Sequence, residues 1–368
     1  MRLATFNVEN MFDRAKALNR DDWDEGRPAL EAHRELNALF NKRDYSAADK
    51  ARILTLLDEN GLLRDDEGPY LYFRRIRGRF LKRPNSRQVS VIAEGRSSWI
   101  GWVELKTEPV KETATENTAR VIDAVNADVL GIVEAEDRTT LRLFNKSDLP
   151  IVNANSYHHV MVFDANDDRG IDVGILTRPK YPIKSIRSHV DDFDDEGTVF
   201  SRDCAEYELV LSDGKSLWLL VNHFKSKGFG SQEDNNKKRR RQSVRVRELY
   251  EDHLAAGDEY VAVLGDLNDT PESAPLKPLL DSTLKDITLH ERCDDGGRPG
   301  THGNSTASSK IDYILLSPPL FSRVKAAKIE RRGMWGGTHG TLWPHFDEIE
   351  SPADAASDHA ALWVDINI

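Results

Sequence analysis

The stretch Val261-Ala-Val-Leu-Gly-Asp-Leu-Asn-Asp269 decides how the rest of the chain is interpreted. Four apolar residues in succession, two of them β-branched, predict a buried strand that ends at Gly265. Asp266 and Asn268 follow, and side chains two residues apart point the same way along an extended chain. At one strand end, a carboxylate can accept a proton, and an amide can donate a hydrogen bond to a developing negative charge. Because a turn in an ordinary α/β protein can carry the same residues, the interpretation depends on the other strands.

Length and composition place the chain among globular proteins. Its 368 residues allow either one large domain with an insertion or two domains. No apolar run approaches the roughly 20 residues that cross a bilayer, and the N-terminus lacks the apolar core of a secretory signal. We therefore expect a cytoplasmic protein with no membrane partner. Cys204 and Cys293 are too few for a disulfide framework or a structural zinc site and are expected to be free thiols.

Charge is unevenly distributed along the chain. A net charge of −11 argues against nonspecific attraction to nucleic acid, yet two strips each hold seven basic residues and no acidic one. The first basic strip, within residues 70–93, comprises Arg74, Arg75, Arg77, Arg79, Lys82, Arg83 and Arg87. The second basic strip comprises Lys237, Lys238, Arg239, Arg240, Arg241, Arg245 and Arg247. Acidic residues cluster elsewhere, notably at residues 191–196, so the two strips can still bind a polyanion locally.

Residues 14–117 are predicted to form an insertion after the first strand. Ser46-Ala-Ala-Asp49 resembles a helical capping box, and Gly61 is the expected end of that helix. The first basic strip and its surroundings mix aromatic, β-branched and turn-forming residues, which predicts a basic β-hairpin with Trp99 and Trp102 nearby. Two interpretations stay open: a solvated hairpin, or a surface that binds phosphates and stacks bases on the aromatic rings.

Short apolar strands recur along the rest of the chain, with two predicted helices between them, at residues 113–126 and 232–256. Besides the opening stretch, the predicted strands are residues 3–8, 128–133, 170–177, 217–223, 311–316 and 360–366. Many short strands, few long helices and no repeat period indicate a layered α/β fold with mixed sheets, and not a doubly wound nucleotide-binding fold.

Polar residues capable of acid, base or ligand chemistry recur at the ends of these strands. They are Asn7, Glu134, His223, Asp266, Asn268, Asp312, Asp358 and His359. Any one of them has an ordinary explanation as a turn, a helix cap or a surface residue. Because six strands end in such residues, we expect these residues to share one site. Carboxylates with amides suit Mg²⁺ or Mn²⁺ better than zinc, and a hard cation beside a proton acceptor favours phosphoryl chemistry.

Six motifs, in their order along the chain, resemble those of the endonuclease/exonuclease/phosphatase superfamily, which includes DNase I and the exonuclease III-type abasic-site endonucleases. The motifs are Phe6-Asn-Val-Glu-Asn10, Asp128-Val-Leu-Gly-Ile-Val-Glu134, Val221-Asn-His-Phe-Lys-Ser226, Gly265-Asp-Leu-Asn268, Lys310-Ile-Asp-Tyr313 and Ser357-Asp-His359. The first and third look most like the bacterial nuclease branch. The resemblance implies an α/β, DNase I-like four-layer sandwich: two mixed β-sheets packed together and flanked by helices. It also implies one domain over residues 1–368, with the insertion outside the shared core.

The resemblance implies roles around a magnesium ion for the matching residues. Glu134 is the expected principal Mg²⁺ ligand, with Mn²⁺ as the alternative ion. Asn7 is expected beside it, and Asp358 contributes directly or through water. Asp266 is expected to align or deprotonate the attacking water, and Asn268 to bind the scissile phosphate.

Two histidines are expected to donate to phosphate oxygens from opposite sides: His359, oriented by Asp312, and His223, oriented by Asp172. One departure from the superfamily is Val133, where many relatives have glutamine before the principal metal ligand, which removes an amide from the surroundings of the metal. The basic residues expected to bind substrate phosphates are Arg169, Lys225, Arg239, Arg240 and Arg241.

The expected function is that of a Mg²⁺-dependent phosphodiesterase acting on nucleic acid, foremost a DNA endonuclease, with no protein partner. A phosphatase or phosphodiesterase for small or lipid head-group phosphoesters, of the inositol phosphate or sphingomyelin type, is the alternative. Such a substrate would need no extended cationic surface. For Arg169 and Lys225, an interpretation as solvated surface charges has equal weight with one as phosphate-binding residues. A binding protein that lost catalysis is disfavoured because none of the expected catalytic positions is missing.

Overall fold

The computed structural model describes residues 1–9, 11, 13–17, 23–85, 88–167, 169–228 and 230–368. Asn10 of the first motif and Arg87 of the first basic strip therefore lie outside the described residues. The strands are β1 (Arg2–Asn7), β2 (Asp13–Ala15), β3 (Leu71–Arg77), β4 (Leu81–Lys82), β5 (Ser90–Val91), β6 (Ile100–Leu105), β7 (Thr107–Pro109), β8 (Val129–Ala135), β9 (His159–Phe163), β10 (Asp172–Thr177), β11 (Ile183–Arg187), β12 (Phe193–Asp194), β13 (Gly197–Thr198), β14 (Cys204–Val210), β15 (Ser216–His223), β16 (Val261–Asp266), β17 (Lys285–Asp286), β18 (Cys293–Asp294), β19 (Asp312–Leu316), β20 (Val324–Glu330) and β21 (Ala361–Ile366). The α-helices are α1 (Trp23–Phe40), α2 (Ala47–Glu59), α3 (Glu112–Val125), α4 (Arg138–Ile151), α5 (Gln232–Ala256), α6 (Lys277–Leu280) and α7 (Pro318–Phe321). Short 3₁₀ helices cover Ile287–Leu289, Ala307–Ser309 and Pro352–Asp354.

The chain divides into two compact units. The core unit consists of Met1–Phe12 and Val110–Ile368, and the inserted unit consists of Asp13–Pro109. Helix α3 belongs to the core unit, where Ala119, Ile122 and Val125 are buried. The inserted unit thus ends earlier than the predicted insertion of residues 14–117, and the assignment of the whole chain to one domain remains a prediction.

Two mixed sheets form the centre of the core unit. The first sheet has seven strands in the order β18-β20-β21-β1-β8-β10-β9, and the second has six in the order β11-β14-β15-β16-β19-β17. Parallel pairs, such as β1 with β8 and β15 with β16, lie among antiparallel neighbours in both sheets. The predicted mixed character of the sheets is confirmed.

Side chains alternate between the two faces of each sheet, and in the core unit they form three apolar layers. Leu219 and Leu264 point into the layer between the two sheets, where they pack with Val173 of the first sheet. Their neighbours Leu220 and Val263 point the other way, against α5. Helices α3 and α4 cover the outer face of the first sheet. Helix, sheet, sheet and helix make four layers, which confirms the predicted sandwich.

The inserted unit holds its own small core. Strand β3 pairs antiparallel with β6, and β4 with β5, so the predicted basic hairpin region is two short ribbons. Ser46 and Asp49 cap α2 reciprocally, as predicted. The prediction for Trp99 is wrong: its side chain is 0% exposed, and its indole N–H donates to the Tyr45 hydroxyl at 2.7 Å. Because its ring packs among phenylalanines, it cannot stack on a base, whereas Trp102 is 37% exposed.

Among the described residues, no helix combines the length and apolarity that a membrane span requires.

Replacing Gly265 by alanine is expected to lower the free energy of unfolding by about 3 kcal/mol. The φ angle of this residue is +123°, and a Cβ atom would lie 2.0 Å from the carbonyl oxygen of Asn222 on the neighbouring strand. Gly257→Ala is the control, because φ is +91° there but no atom lies within 4 Å of the added Cβ. Its expected loss is about 1 kcal/mol. Urea unfolding compares the two variants, and equal losses would show that contact with Asn222 does not restrict residue 265.

Candidate active site

Three chemically active side chains form a row across the second sheet. In the register of β15, β16 and β19, His223 pairs with Asp266, which pairs with Asp312. All three residues are buried. Strand pairing therefore brings together residues that are 43 and 46 positions apart along the chain.

The first sheet contributes residues at the same corner of the sandwich. Asn7 ends β1, and its amide nitrogen donates to Glu134 Oε1 at 3.0 Å and to Asp266 Oδ2 at 3.4 Å. The Asn7 oxygen accepts the backbone N–H of Glu9 at 3.0 Å, so the amide presents nitrogen to the carboxylates. The predicted metal-ligand role of Asn7 thus requires its amide to rotate and to give up the contact with Glu9.

Left-handed backbone shapes this corner at two residues other than glycine. Glu134 has φ of 65° and Asn268 has φ of 54°. Such conformations cost free energy and concentrate at functional sites, although asparagine tolerates them better than most residues. The Asn268 backbone N–H donates to Asp266 Oδ1 at 2.7 Å, and its side-chain amide donates to Asp266 Oδ2 at 3.1 Å. Both oxygens of the expected base are thereby held in place.

Glu134, His223 and Asp266 could together hold a divalent cation. Each offers one ligand atom, and these atoms all lie within 4.8 Å of one another. His223 Nε2 lies 3.6 Å from Glu134 Oε1 and 3.8 Å from Asp266 Oδ2. Burial, followed by the charge of Asp312, raises the pKa of Asp266 to about 7. Placing ionised carboxylates together at this buried position therefore costs free energy. A donor set with two carboxylates fits a hard cation, which would offset that cost.

The predicted pairing of His359 with Asp312 is present. His359 Nδ1 lies 2.9 Å and 3.1 Å from the two carboxylate oxygens of Asp312. Burial lowers the pKa of His359, but the negative charges of Asp312 and Asp358 outweigh it and raise the pKa well above its ordinary value. The contact fixes the imidazole so that Nε2 lies 3.5 Å from the Asn7 amide nitrogen. The Asn7 amide nitrogen is itself a donor, so Nε2 does not donate to it; because Asp312 engages Nδ1, Nε2 is the ring nitrogen that can donate to a substrate.

The expected pairing of His223 with Asp172 is wrong. The Asp172 carboxylate accepts the Ala165 backbone N–H at 3.0 Å, and burial raises the pKa of this carboxyl to about 7. His223 Nδ1 is buried without a hydrogen-bond partner in the described part of the chain. Burial, followed by the charge of Arg202, lowers the pKa of His223 well below its ordinary value. His223 is therefore a neutral imidazole that no carboxylate orients through Nδ1.

A buried cationic group lies beside the centre. Arg169 makes two contacts with Asp167, at 2.7 and 2.6 Å, and Arg202 lies 2.8 Å from the same carboxylate. Burial and the two guanidinium groups lower the pKa of Lys225 to about 7. The interpretation of Arg169 as a solvated surface charge is therefore wrong. Arg202, which is buried, has no distinguishing pattern around it in the sequence and was not predicted.

Asp358 contacts a histidine that the sequence does not point to. Its Oδ2 lies 3.0 Å from His302 Nε2, and it groups with His302 and His359. Its contribution to the metal site, directly or through water, stays a prediction. His302 lies in a glycine-rich loop without strand or helix periodicity, so the sequence gives no sign of it. The backbone of Asp312 donates to Thr301 Oγ1 at 3.0 Å, which anchors this loop beside the His359–Asp312 pair.

Most of the second basic strip is not a free cationic surface. Arg239 is 0% exposed, and its guanidinium binds Asp269 at 3.1 Å and the Lys225 carbonyl oxygen at 2.9 Å. Arg241 binds Asp194, and Arg245 binds Asp192 at 2.7 Å, so the acidic cluster at residues 191–196 neutralises these two arginines. Arg240 is exposed. The expectation that Arg239 contacts nucleic acid is therefore wrong, whereas the same expectation for Arg240 and for the partly buried Arg241 stays a prediction.

The fold and the site define a phosphoesterase of the DNase I-like class. The chain belongs to the endonuclease/exonuclease/phosphatase family, which it matches over residues 83–293, more than half of its length. Members of this family are metal-dependent phosphoric ester hydrolases. The match includes Glu134, His223, Asp266 and Asn268. Asn7, Asp312 and His359 lie outside it and join the site through the fold.

Solved structures with low sequence identity share this fold. A mannosyl-6-phosphatase from Bacteroides thetaiotaomicron is 18% identical, with a TM-score of 0.51 over 70% of this chain and 92% of that one. An endonuclease/exonuclease/phosphatase family protein from the same species is also 18% identical, with a TM-score of 0.50 over 68% and 86% of the two chains. An endonuclease/exonuclease/phosphatase from Bacteroides vulgatus is 16% identical, with a TM-score of 0.50 over 70% and 91%. No curated protein matches the sequence.

Exchange of Arg239 for methionine is expected to lower the free energy of unfolding by about 3 kcal/mol, because Asp269 would lose a buried partner. Lys227, which lies 2.6 Å from Asp269, would remain as its second partner. The matched variant Arg240→Met removes an exposed guanidinium from the same helix and is expected to change stability by about 0.5 kcal/mol or less. Unfolding in guanidinium chloride measures the free energy of unfolding of both variants. If the two variants were equally stable, Arg239 would have no structural role.

Proposed function

We propose that this protein is a Mg²⁺-dependent phosphodiesterase that hydrolyses nucleic acid, foremost as a DNA endonuclease. The observation that carries the proposal is the meeting of Glu134 and Asp266 across two sheets, next to the His359–Asp312 pair. Oxygen-rich donors favour Mg²⁺, with Mn²⁺ as the alternative, because hard cations prefer oxygen ligands.

The residues divide the work of an in-line attack on phosphorus. Asp266, whose two oxygens are fixed by Asn268, aligns a water and accepts its proton. His359 donates to a phosphate oxygen as charge develops on it. The Asn268 amide nitrogen donates to Asp266 Oδ2 and to the Phe224 carbonyl oxygen, so it can donate to phosphate only after it releases one of them. Glu134 would hold the cation, which would neutralise phosphate oxygens. His223, a neutral imidazole, can contribute a nitrogen ligand or a hydrogen bond, but not a positive charge.

The first basic strip supports a polymeric substrate. Arg75, Arg77, Arg79 and Lys82 are exposed, and none of them makes an ion pair with an acidic side chain of the described residues. Two other members of the strip are paired, Arg74 with Glu104 and Arg83 with Asp66. Exposed cations along a strand and the loop after it can contact successive phosphates, and Trp102 lies on the neighbouring strand β6.

A second candidate is the hydrolysis of a small phosphomonoester. The paired arginines of the second strip remove part of the reason for expecting a polymer. The buried group beside the centre holds three cations, with Arg169 and Arg202 both in contact with Asp167 and Lys225 near them. Positive charge next to the centre fits the dianion of a monoester. One similar structure is named as a mannosyl-6-phosphatase, but its low identity shows the fold alone.

Asp266→Asn is expected to reduce turnover by a factor of about 10² to 10⁴, because an amide cannot accept the proton of water. The assay compares nicking of supercoiled plasmid with hydrolysis of bis(p-nitrophenyl) phosphate and p-nitrophenyl phosphate, with and without Mg²⁺. Asp213→Asn, in the exposed turn between β14 and β15, is the control and should retain wild-type activity.

Mg²⁺-dependent nicking that is lost only in Asp266→Asn supports a nuclease. Cleavage confined to the monoester would establish the second candidate instead. Full turnover by Asp266→Asn, in protein whose circular dichroism is unchanged, would exclude Asp266 as the base.

Arg75→Gln combined with Arg79→Gln is expected to weaken DNA binding and to reduce the salt dependence of the binding constant by about 0.9 for each lost phosphate contact. Arg142→Gln combined with Lys146→Gln removes the same charge from exposed positions of α4 and should leave the slope unchanged. Fluorescence anisotropy of labelled duplex DNA at several salt concentrations measures the slopes. If the two double variants had the same salt dependence of the binding constant, the first basic strip would not contact DNA.

A further inference from the structure

A second group of potential ligands lies beside the proposed magnesium centre. His302, Asp358 and His359 each offer one ligand atom, and these atoms lie within 4.8 Å of one another. The two imidazoles approach different oxygens of one carboxylate: His302 Nε2 lies 3.0 Å from Asp358 Oδ2, and His359 Nε2 lies 3.7 Å from Asp358 Oδ1. The ring centroids are 4.7 Å apart. Three donors thus converge at the rim of the site.

The donor chemistry of this group differs from that of the first centre. Two imidazole nitrogens with one carboxylate suit zinc, which takes three protein ligands and leaves a fourth position open in catalytic-type sites. His359 already contacts Asp312 through Nδ1, which is the arrangement that orients a histidine ligand and leaves Nε2 directed at a metal. Glu134 and Asp266 instead present two carboxylates, which suit a harder cation.

Backbone contacts preorganise the group. His302 and His359 form an isolated β-bridge, and the Gly303 N–H donates to the Asp358 carbonyl oxygen at 2.8 Å. The Ala360 N–H donates to the Thr301 carbonyl oxygen at 2.7 Å on the other side. Because the two segments are fixed to each other, bringing the ligand atoms onto one ion requires movement of side chains only.

We propose that His302, Asp358 and His359 form a zinc site, and that zinc bound there inhibits the enzyme. The imidazole of His359 cannot donate from Nε2 to a phosphate oxygen while that nitrogen binds zinc. The inhibition rests on the proposed function, which assigns that donation to His359. The binding of zinc does not, since it depends only on the three ligands.

Zinc binding is tested directly by competition with a chromophoric chelator, using the full chain with Mg²⁺ in excess. The wild-type protein is expected to bind one zinc ion at this site, and His302→Ala and His302→Gln to bind it about 100-fold more weakly. His339→Ala removes an exposed imidazole outside the group and should retain wild-type affinity. X-ray absorption at the zinc edge should show two imidazole ligands in the wild-type complex and one in His302→Gln.

Unchanged zinc affinity in both folded His302 variants would overturn the site. If Glu134→Gln lost zinc binding and His302→Gln retained it, the ion would lie at the first centre, and the proposed site at His302 would also be overturned. For inhibition, each variant is normalised to its own rate without zinc, and His302→Gln should need about 100-fold more zinc for half-inhibition. If no phosphoester is hydrolysed, the proposed function fails, while the chelator measurement still decides whether zinc binds.

Discussion

The structure of the core unit depends on two carboxylates, Asp266 and Asp312, that adjacent strands place side by side in a buried row. Burial, followed by the charge of Asp312, opposes ionisation of Asp266. Residues from outside the second sheet reach both carboxylates: Asn7, at the end of β1, donates to Asp266, and His359, which precedes β21, contacts Asp312. Polar contacts therefore join the sheets at the active corner, and apolar packing joins them elsewhere.

The loop that follows Asp266, the proposed base at the end of β16, is supported from outside the site. Asp269 ends this loop, and its carboxylate binds Arg239 of α5 while its carbonyl oxygen accepts the Tyr313 hydroxyl at 2.9 Å. A charged helix that resembles a binding surface in the sequence thus holds the catalytic loop in position. The acidic segment at residues 191–196 binds Arg241 and Arg245 of that helix, whereas Arg240 is exposed.

The sequence predicts the strands and their polar ends well, because buried apolar runs and the residues that follow them are local features. It could also have shown that Arg239 is buried, since Arg239 shares the helical spacing of Val246 and Tyr250 on the buried stripe of α5. The absence of a contact between Asp172 and His223 could not be found this way, because contacts between different sheets depend on how the sheets pack. His302 was missed for a related reason: a loop without periodicity reveals its neighbours only once the fold is known.

Under the proposed function, substrate choice depends on cations outside the catalytic corner, and these cations differ in burial. The buried group around Asp167 lies out of water, so added salt screens its attraction for one phosphate only weakly. The exposed arginines of the inserted unit are screened readily, and they add binding energy only when a substrate is long enough to present several phosphates. Under the proposed function, a polymer would add contacts with the exposed arginines that a single phosphate would not make. Strong salt dependence of turnover would then identify a polymeric substrate, and weak dependence a small one.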